Sequence, residues 1–216
     1  VRFSFCLLAL LLVTNSRAQN LFSTSDSDAL FPAPDDLVQH HPDLSCHLRK
    51  VEDVRVDSVI HRCWFTDTNK GMIKDVFAVI HDRQLYVQDQ FVRQNLPYTF
   101  HPHARKESNC YYPVLEQGRY LYFEILSEDK DPDLAIAMGL MGGVVGSAFG
   151  TTLTPPDMIR SSVVFDTHTR QFFGIDTWKD FQFFMNSAFP DHNYTTTSGQ
   201  PKPEEVRHMI ENLNKL

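Results

Sequence analysis

The sequence predicts an α+β fold: an antiparallel sheet built from hairpins, one apolar glycine-rich helix and two C-terminal amphipathic helices. Three observations lead there. Short runs of alternating apolar residues recur in pairs around polar breaks, and a single long uncharged run lies between the second pair and the third. After Thr177 the apolar spacing changes from strand-like to helical.

The chain opens VRFSFCLLALLLVTNSRAQN, with Arg2 as a basic head, an apolar stretch from Phe3 to Val13, and Ser16-Arg17-Ala18 as a small-x-small cleavage signal. Residues 1–18 are therefore expected to be an export signal, and the apolar stretch is too short to span a bilayer. Cys6 has no lipobox before it and leaves with that segment. Residues 19–43 are rich in Ser, Asp and Pro, which predicts a flexible leader ahead of a single domain over residues 44–216.

Within that domain Val51 to Ile60 alternates as a strand, Cys63 to Thr66 continues apolar, and Thr68-Asn69-Lys70-Gly71 is a turn. Val76 to Ile80 and Leu85 to Val87 flank His81-Asp82-Arg83, and Tyr111 to Leu115 and Arg119 to Leu126 flank Glu116-Gln117-Gly118. A third pair, Ile159 to Phe165 and Gln171 to Ile175, flanks Asp166-Thr167-His168-Thr169.

The uncharged run extends from Leu134 to Leu153 and predicts a helix at about 132–150. Asp131 suits its cap, Pro132 its first position and Asp133 the positive end of its dipole, while Gly150 and Pro155-Pro156 mark its end. At 100° per residue Ala135, Gly139, Gly142, Gly143, Gly146 and Gly150 share one narrow sector, and Ala137, Met141, Val144, Val145 and Ala148 lie opposite. Gly142, Gly146 and Gly150 have the spacing that lets a second backbone approach closely. Glycine costs a helix roughly 1 kcal/mol relative to alanine, so this face needs a packing partner. The run is also as long as a bilayer core is thick, although no Trp or Tyr marks its edges and Arg119, Lys130, Arg160 and Arg170 show no bias to one side. A buried helix, a membrane helix that oligomerises and a glycine-rich loop are the three arrangements it allows.

Two helices close the chain. Thr177 with Asp180 forms a capping pattern ahead of Trp178, Phe181, Met185, Ala188 and Phe189, and Val206, Met209, Ile210 and Leu213 follow Pro203 at helical spacing.

The signal peptide, HDRQLYVQ, VLEQGRYLYF, MGGVVGSAFG, VVFDTHTRQFFGID and the terminal IENLNKL, in this order, resemble a loose group of uncharacterised secreted proteins of Bacteroidetes-type bacteria. The resemblance implies a secreted, periplasmic or envelope location and carries no functional residue with it. At Thr169-Arg170 a turn of that kind usually has Thr-Gly.

Candidate chemistry is sparse. Loss of Arg2 and Arg17 takes the net charge of −7 down by two to −9, and no basic stripe is present, which argues against nucleic acid as a partner. In an oxidising compartment Cys46 with Cys63 is the preferred disulfide, Cys63 with Cys110 the alternative, and the third thiol is either buried or reactive. Cys46, His47, His61 and Cys63 are the candidate metal ligands, though their spacing matches no standard zinc site, and His101-Pro-His103 reads as an exposed loop. Ser147 lacks the nucleophile-elbow pattern, and neither a phosphate loop nor a dinucleotide fingerprint occurs, so no cofactor is expected. Glu128, Asp129, Asp131 and Asp133 lack calcium-loop spacing, and Asn193-Tyr194-Thr195 is a glycosylation sequon.

These readings favour a non-catalytic binding or structural protein of the envelope, with a protein partner or self-association through the glycine face. A single-pass membrane protein, with residues 19–133 and 154–216 on opposite sides, and a metal-assisted enzyme built on the Cys46 group are the alternatives. Against the first of these, about sixty residues make a marginal core.

Overall fold

In the computed structural model, which describes residues 28–56, 59–69, 71–96, 109–128, 158–191 and 199–216, strands and helices follow in this order: β1 (Ala29–Phe31), α1 (Pro34–Val38), β2 (Leu48–Val56), β3 (Val59–Asp67), β4 (Gly71–Met72), β5 (Ala78–His81), β6 (Gln84–Gln88), α2 (Asp89–Asn95), β7 (Tyr111–Glu116), β8 (Tyr120–Glu128), β9 (Met158–Asp166), β10 (Gln171–Ile175), α3 (Trp178–Ala188) and α4 (Pro203–Leu213). All strand pairs among the described residues are antiparallel, in the order β1-β5-β6-β7-β8-β9-β10, and β3 joins β7 through Cys63 opposite Tyr111 while carrying β2 and β4. The architecture is α+β.

Turn chemistry explains the hairpins. Asp82 and Arg83 both take left-handed backbone, with φ of 49 and 64, the conformation a two-residue hairpin turn requires to match strand twist. Arg170, with φ of 60, does the same at the end of the β9–β10 turn, where its N–H donates to the Asp166 carbonyl at 2.7 Å. Gly118 serves a different need. A Cβ there would lie 2.5 Å from Cγ of Asn214, whose amide bonds both the N–H and the carbonyl of Tyr120, at 2.9 and 2.8 Å. Asn214 thus ties the end of α4 to the start of β8, much as a neighbouring strand would.

Strand alternation sorts the side chains into three cores. The first gathers Phe31, Phe77, Val87, Tyr112, Phe123, Phe165 and Phe172 with Val92 of α2, so strands from both ends of the sheet share one interior. Phe77 is central to it, with ring centroids 5.7 Å from Phe91, 5.4 Å from Phe165 and 6.3 Å from Phe172. The second lies on the other face of β8–β10 under α3 and α4, where Tyr120, Tyr122, Val164 and Phe173 meet Phe184, Met185, Val206 and Ile210. The third joins β3 to β5, β6 and β7 through Cys63 and Phe65, Val79, Tyr86 and Tyr111.

The capping pattern expected at Thr177 is present: its Oγ1 accepts the Asp180 N–H at 3.2 Å and Asp180 accepts the Thr177 N–H at 2.8 Å. Other expectations need correction. The leader expected over residues 19–43 is folded from Asp28 onward, because Ala29–Phe31 pairs with β5, Leu37 is buried, and Leu30 and Asp43 exchange backbone hydrogen bonds of 3.0 and 2.8 Å. A three-residue strand is too short to show a period. The strand expected from Val51 to Ile60 is two strands, since Val56 pairs with Val59 across two intervening residues. The α2 helix was not expected, as its seven residues are too few for a helical repeat to stand out. The glycine-rich segment at 132–150, with Ala135, Gly139, Gly142, Gly143, Gly146 and Gly150, lies outside the described residues, as do the export signal, His101, His103 and the sequon. No helix among the described residues is long and apolar enough to cross a membrane.

Candidate functional site

A buried polar cluster lies where β6 runs into α2 beside the start of β7. Gln88 stands opposite Tyr111 and Val87 opposite Tyr112, so consecutive residues alternate between the third core and the first. Asp89 opens α2 fully buried, its N–H donating to the Cys110 carbonyl at 2.9 Å. Its two carboxylate oxygens accept from Arg93 Nε at 2.6 and 2.7 Å, and Oδ1 also accepts from the Tyr112 hydroxyl at 2.5 Å. Asp89 and Arg93 are four residues apart on one helix, the spacing at which an acid and a base face each other. Tyr112 comes from 23 residues away in the chain.

The electrostatics keep Tyr112 and Arg93 protonated. Burial pushes the Tyr112 hydroxyl well above its ordinary value, and Cys110 and Asp89 push the same way. Tyr112 is thereby kept as a hydrogen-bond donor. Burial alone would lower the Arg93 value, but Tyr112 and Asp89 outweigh it and the value rises, so the guanidinium stays charged. What results is a charge-assisted clamp between α2 and β7.

A second polar group sits under α4. The Tyr122 hydroxyl lies 3.1 Å from Glu124 Oε1, 3.1 Å from Ser162 Oγ and 2.9 Å from the Pro203 carbonyl oxygen. Arg160 spans Glu124 and Glu204 at 3.6 and 2.8 Å, so the start of α4 is tethered to β8 and β9 by one hydroxyl and one guanidinium. Burial, then Glu124, raises the Tyr122 value far above the ordinary range.

The sequence-predicted ligands are not brought together. Among the described residues no group of three or more His, Cys, Asp or Glu side chains is placed to hold a metal. Cys46 and His47 precede β2, with Cys46 Sγ 3.7 Å from the Asp43 carbonyl and the His47 N–H donating to Asp67 at 3.1 Å, whereas His61 and Cys63 lie on β3. The expected Cys46–Cys63 disulfide is corrected for the same reason, since Cys46 and Cys63 are both buried, unlinked thiols. Leu48 pairs with Asp67, four positions beyond Cys63. At about 3.3 Å per residue that register already puts Cys46 beyond disulfide reach.

Burial pushes the Cys63 thiol up to about 12, and burial first, with Asp28, Asp43 and Asp67, raises Cys46 as well. A protonated thiol is a poor nucleophile. Iodoacetamide at pH 8 is therefore expected to label Cys46, Cys63 and Cys110 at least about a hundredfold more slowly in the folded protein than in guanidinium. Non-reducing peptide mapping that returned a Cys46–Cys63 linked pair would overturn this reading.

The clamp residues were missed in the sequence, although the Asp89-to-Arg93 spacing was visible in DQFVR. Tyr112 gave no signal, because only the β6–β7 register brings it there. Comparison with known proteins adds no further residue. No protein-family model, no curated protein and no solved structure matches this chain.

Proposed function

We propose that this chain is a secreted or envelope-associated, non-catalytic binding or structural module, with the glycine-faced segment as its surface for association. The observation that carries the non-catalytic part is the occupancy of Asp89. Both of its oxygens are taken by Arg93 and Tyr112, leaving the buried carboxylate engaged in joining α2 to the sheet. The buried thiols and phenols support the same reading, since burial holds Cys63, Tyr111 and Tyr112 in their neutral forms.

The association part rests on the sequence. A helix over about 132–150 with Gly142, Gly146 and Gly150 on one face offers a backbone-close contact to a second helix, in water or in a bilayer. The test compares the full chain with Gly146→Leu by sedimentation velocity and by retention on membranes after an alkaline carbonate wash. Expected is weaker self-association or weaker retention in the variant, with an unchanged thermal midpoint. If folding, self-association and membrane retention were all unaltered, the glycine face would have no such role. Stoichiometric zinc or copper in the purified protein would instead favour the metal-assisted enzyme.

A further inference from the structure

On the third-core side of the same junction three strands place Cys63, Tyr111 and Gln88 in one row, Cys63 opposite Tyr111 on β3 and β7, and Tyr111 opposite Gln88 on β7 and β6. Directly opposed residues in antiparallel strands project to the same face. All three are fully buried. The Cys63 thiol contacts the Tyr111 carbonyl at 3.8 Å, but the Gln88 side chain is different: among the described residues neither its Nε2 nor its Oε1 meets a hydrogen-bond partner, and neither does the Tyr111 hydroxyl.

A primary amide offers two N–H donors and a carbonyl acceptor, and a phenol offers one donor and one acceptor. Leaving all of these unbonded in a dry core is costly, and buried polar groups in folded proteins are almost always satisfied by protein or by ordered water. Two such side chains facing each other across one ladder reinforce the point. The backbone of Gln88 does not compete for them, since its N–H already donates to the Phe77 carbonyl at 2.9 Å.

We propose that the β3–β7–β6 row encloses a binding site for one ordered water molecule, shared by the Gln88 amide and the Tyr111 hydroxyl. Water fits the chemistry of the row. The lining thiol, phenol and amide are uncharged groups, which neither neutralise a cation nor supply the charge a buried anion needs, whereas water can both donate and accept. Phe65 and Tyr86 belong to the same core and Gln88 and Tyr111 are fully buried, so the shared molecule would be an internal one, held away from bulk solvent. Through that water, β6 and β7 would be joined on the face opposite the Asp89 clamp, so the junction would be fastened on both sides.

Oxygen-17 relaxation dispersion of water counts long-lived internal water molecules and does not respond to exchanging side-chain protons. Full-chain wild type and Gln88→Met are compared, with a proton–nitrogen correlation spectrum to verify that the variant is folded. The expected result is a loss of about one long-lived water molecule in Gln88→Met. Tyr111→Phe takes its place if the methionine variant does not fold, with the same loss expected. An unchanged dispersion amplitude in a folded variant overturns the proposal.

Discussion

Asp89→Asn is expected to destabilise the protein by about 3 kcal/mol, the lower end for breaking a buried ion pair by removing one partner. The substitution keeps shape and volume but removes the charge that both Arg93 and Tyr112 address. Arg93 then loses its counter-charge in a setting where its side chain retains only 19% exposure. That residual contact with solvent lessens the cost of leaving the guanidinium unpaired. Urea denaturation gives the free energy, and a drop in thermal midpoint of roughly 6–12 °C should accompany it. Adding Arg93→Met should recover part of the loss, because removing both charges avoids leaving one unpaired. A single-variant effect below about 1 kcal/mol would show that the clamp is incidental to stability.

Phe77→Ala is expected to cost about 3–5 kcal/mol through lost burial and the cavity left behind. Phe77 is fully buried immediately before β5, in the first core, where its ring meets Phe91 from α2, Phe165 from β9 and Phe172 from β10. Its loss should therefore loosen elements far apart in the chain. Hydrogen exchange should report this as faster exchange in α2 and in β9–β10 together, while β2 and the start of β3 change less. Phe183→Ala is the control. Phe183 is 64% exposed on α3, so its removal should shift stability by no more than about 0.5 kcal/mol. Equal effects of the two substitutions would mean that the first core does not depend on Phe77.

The hairpins were the most legible part of the chain. VIHDRQLYV and VLEQGRYLYF carry strand alternation on both sides of a polar break, and the alternation survives in the structure as the division between the first and third cores in the former and between the first and second in the latter. The Thr177 cap was legible for a local reason too, because donor and acceptor are three residues apart. By contrast, β1 and α2 escaped notice, and each is held by a distant partner: Ala29 pairs with Ile80, and Asp89 meets Tyr112. The Cys46–Cys63 pairing failed because nearness in sequence is a poor guide across a hairpin, where register decides which residues meet.

By itself the sequence determined an antiparallel α+β body, its hairpin turns, its two closing amphipathic helices, and the absence of any strong catalytic signature in residue spacing. These follow from interactions reaching only a few residues along the chain. Tertiary structure alone decided that residues from Asp28 belong to the folded body, that Cys46 and Cys63 stand apart, and that Asp89, Arg93 and Tyr112 form one clamp. Each of those depends on strand register and on burial. A shift of one residue would turn Tyr112 to the opposite face, and nothing in the local sequence carries that information.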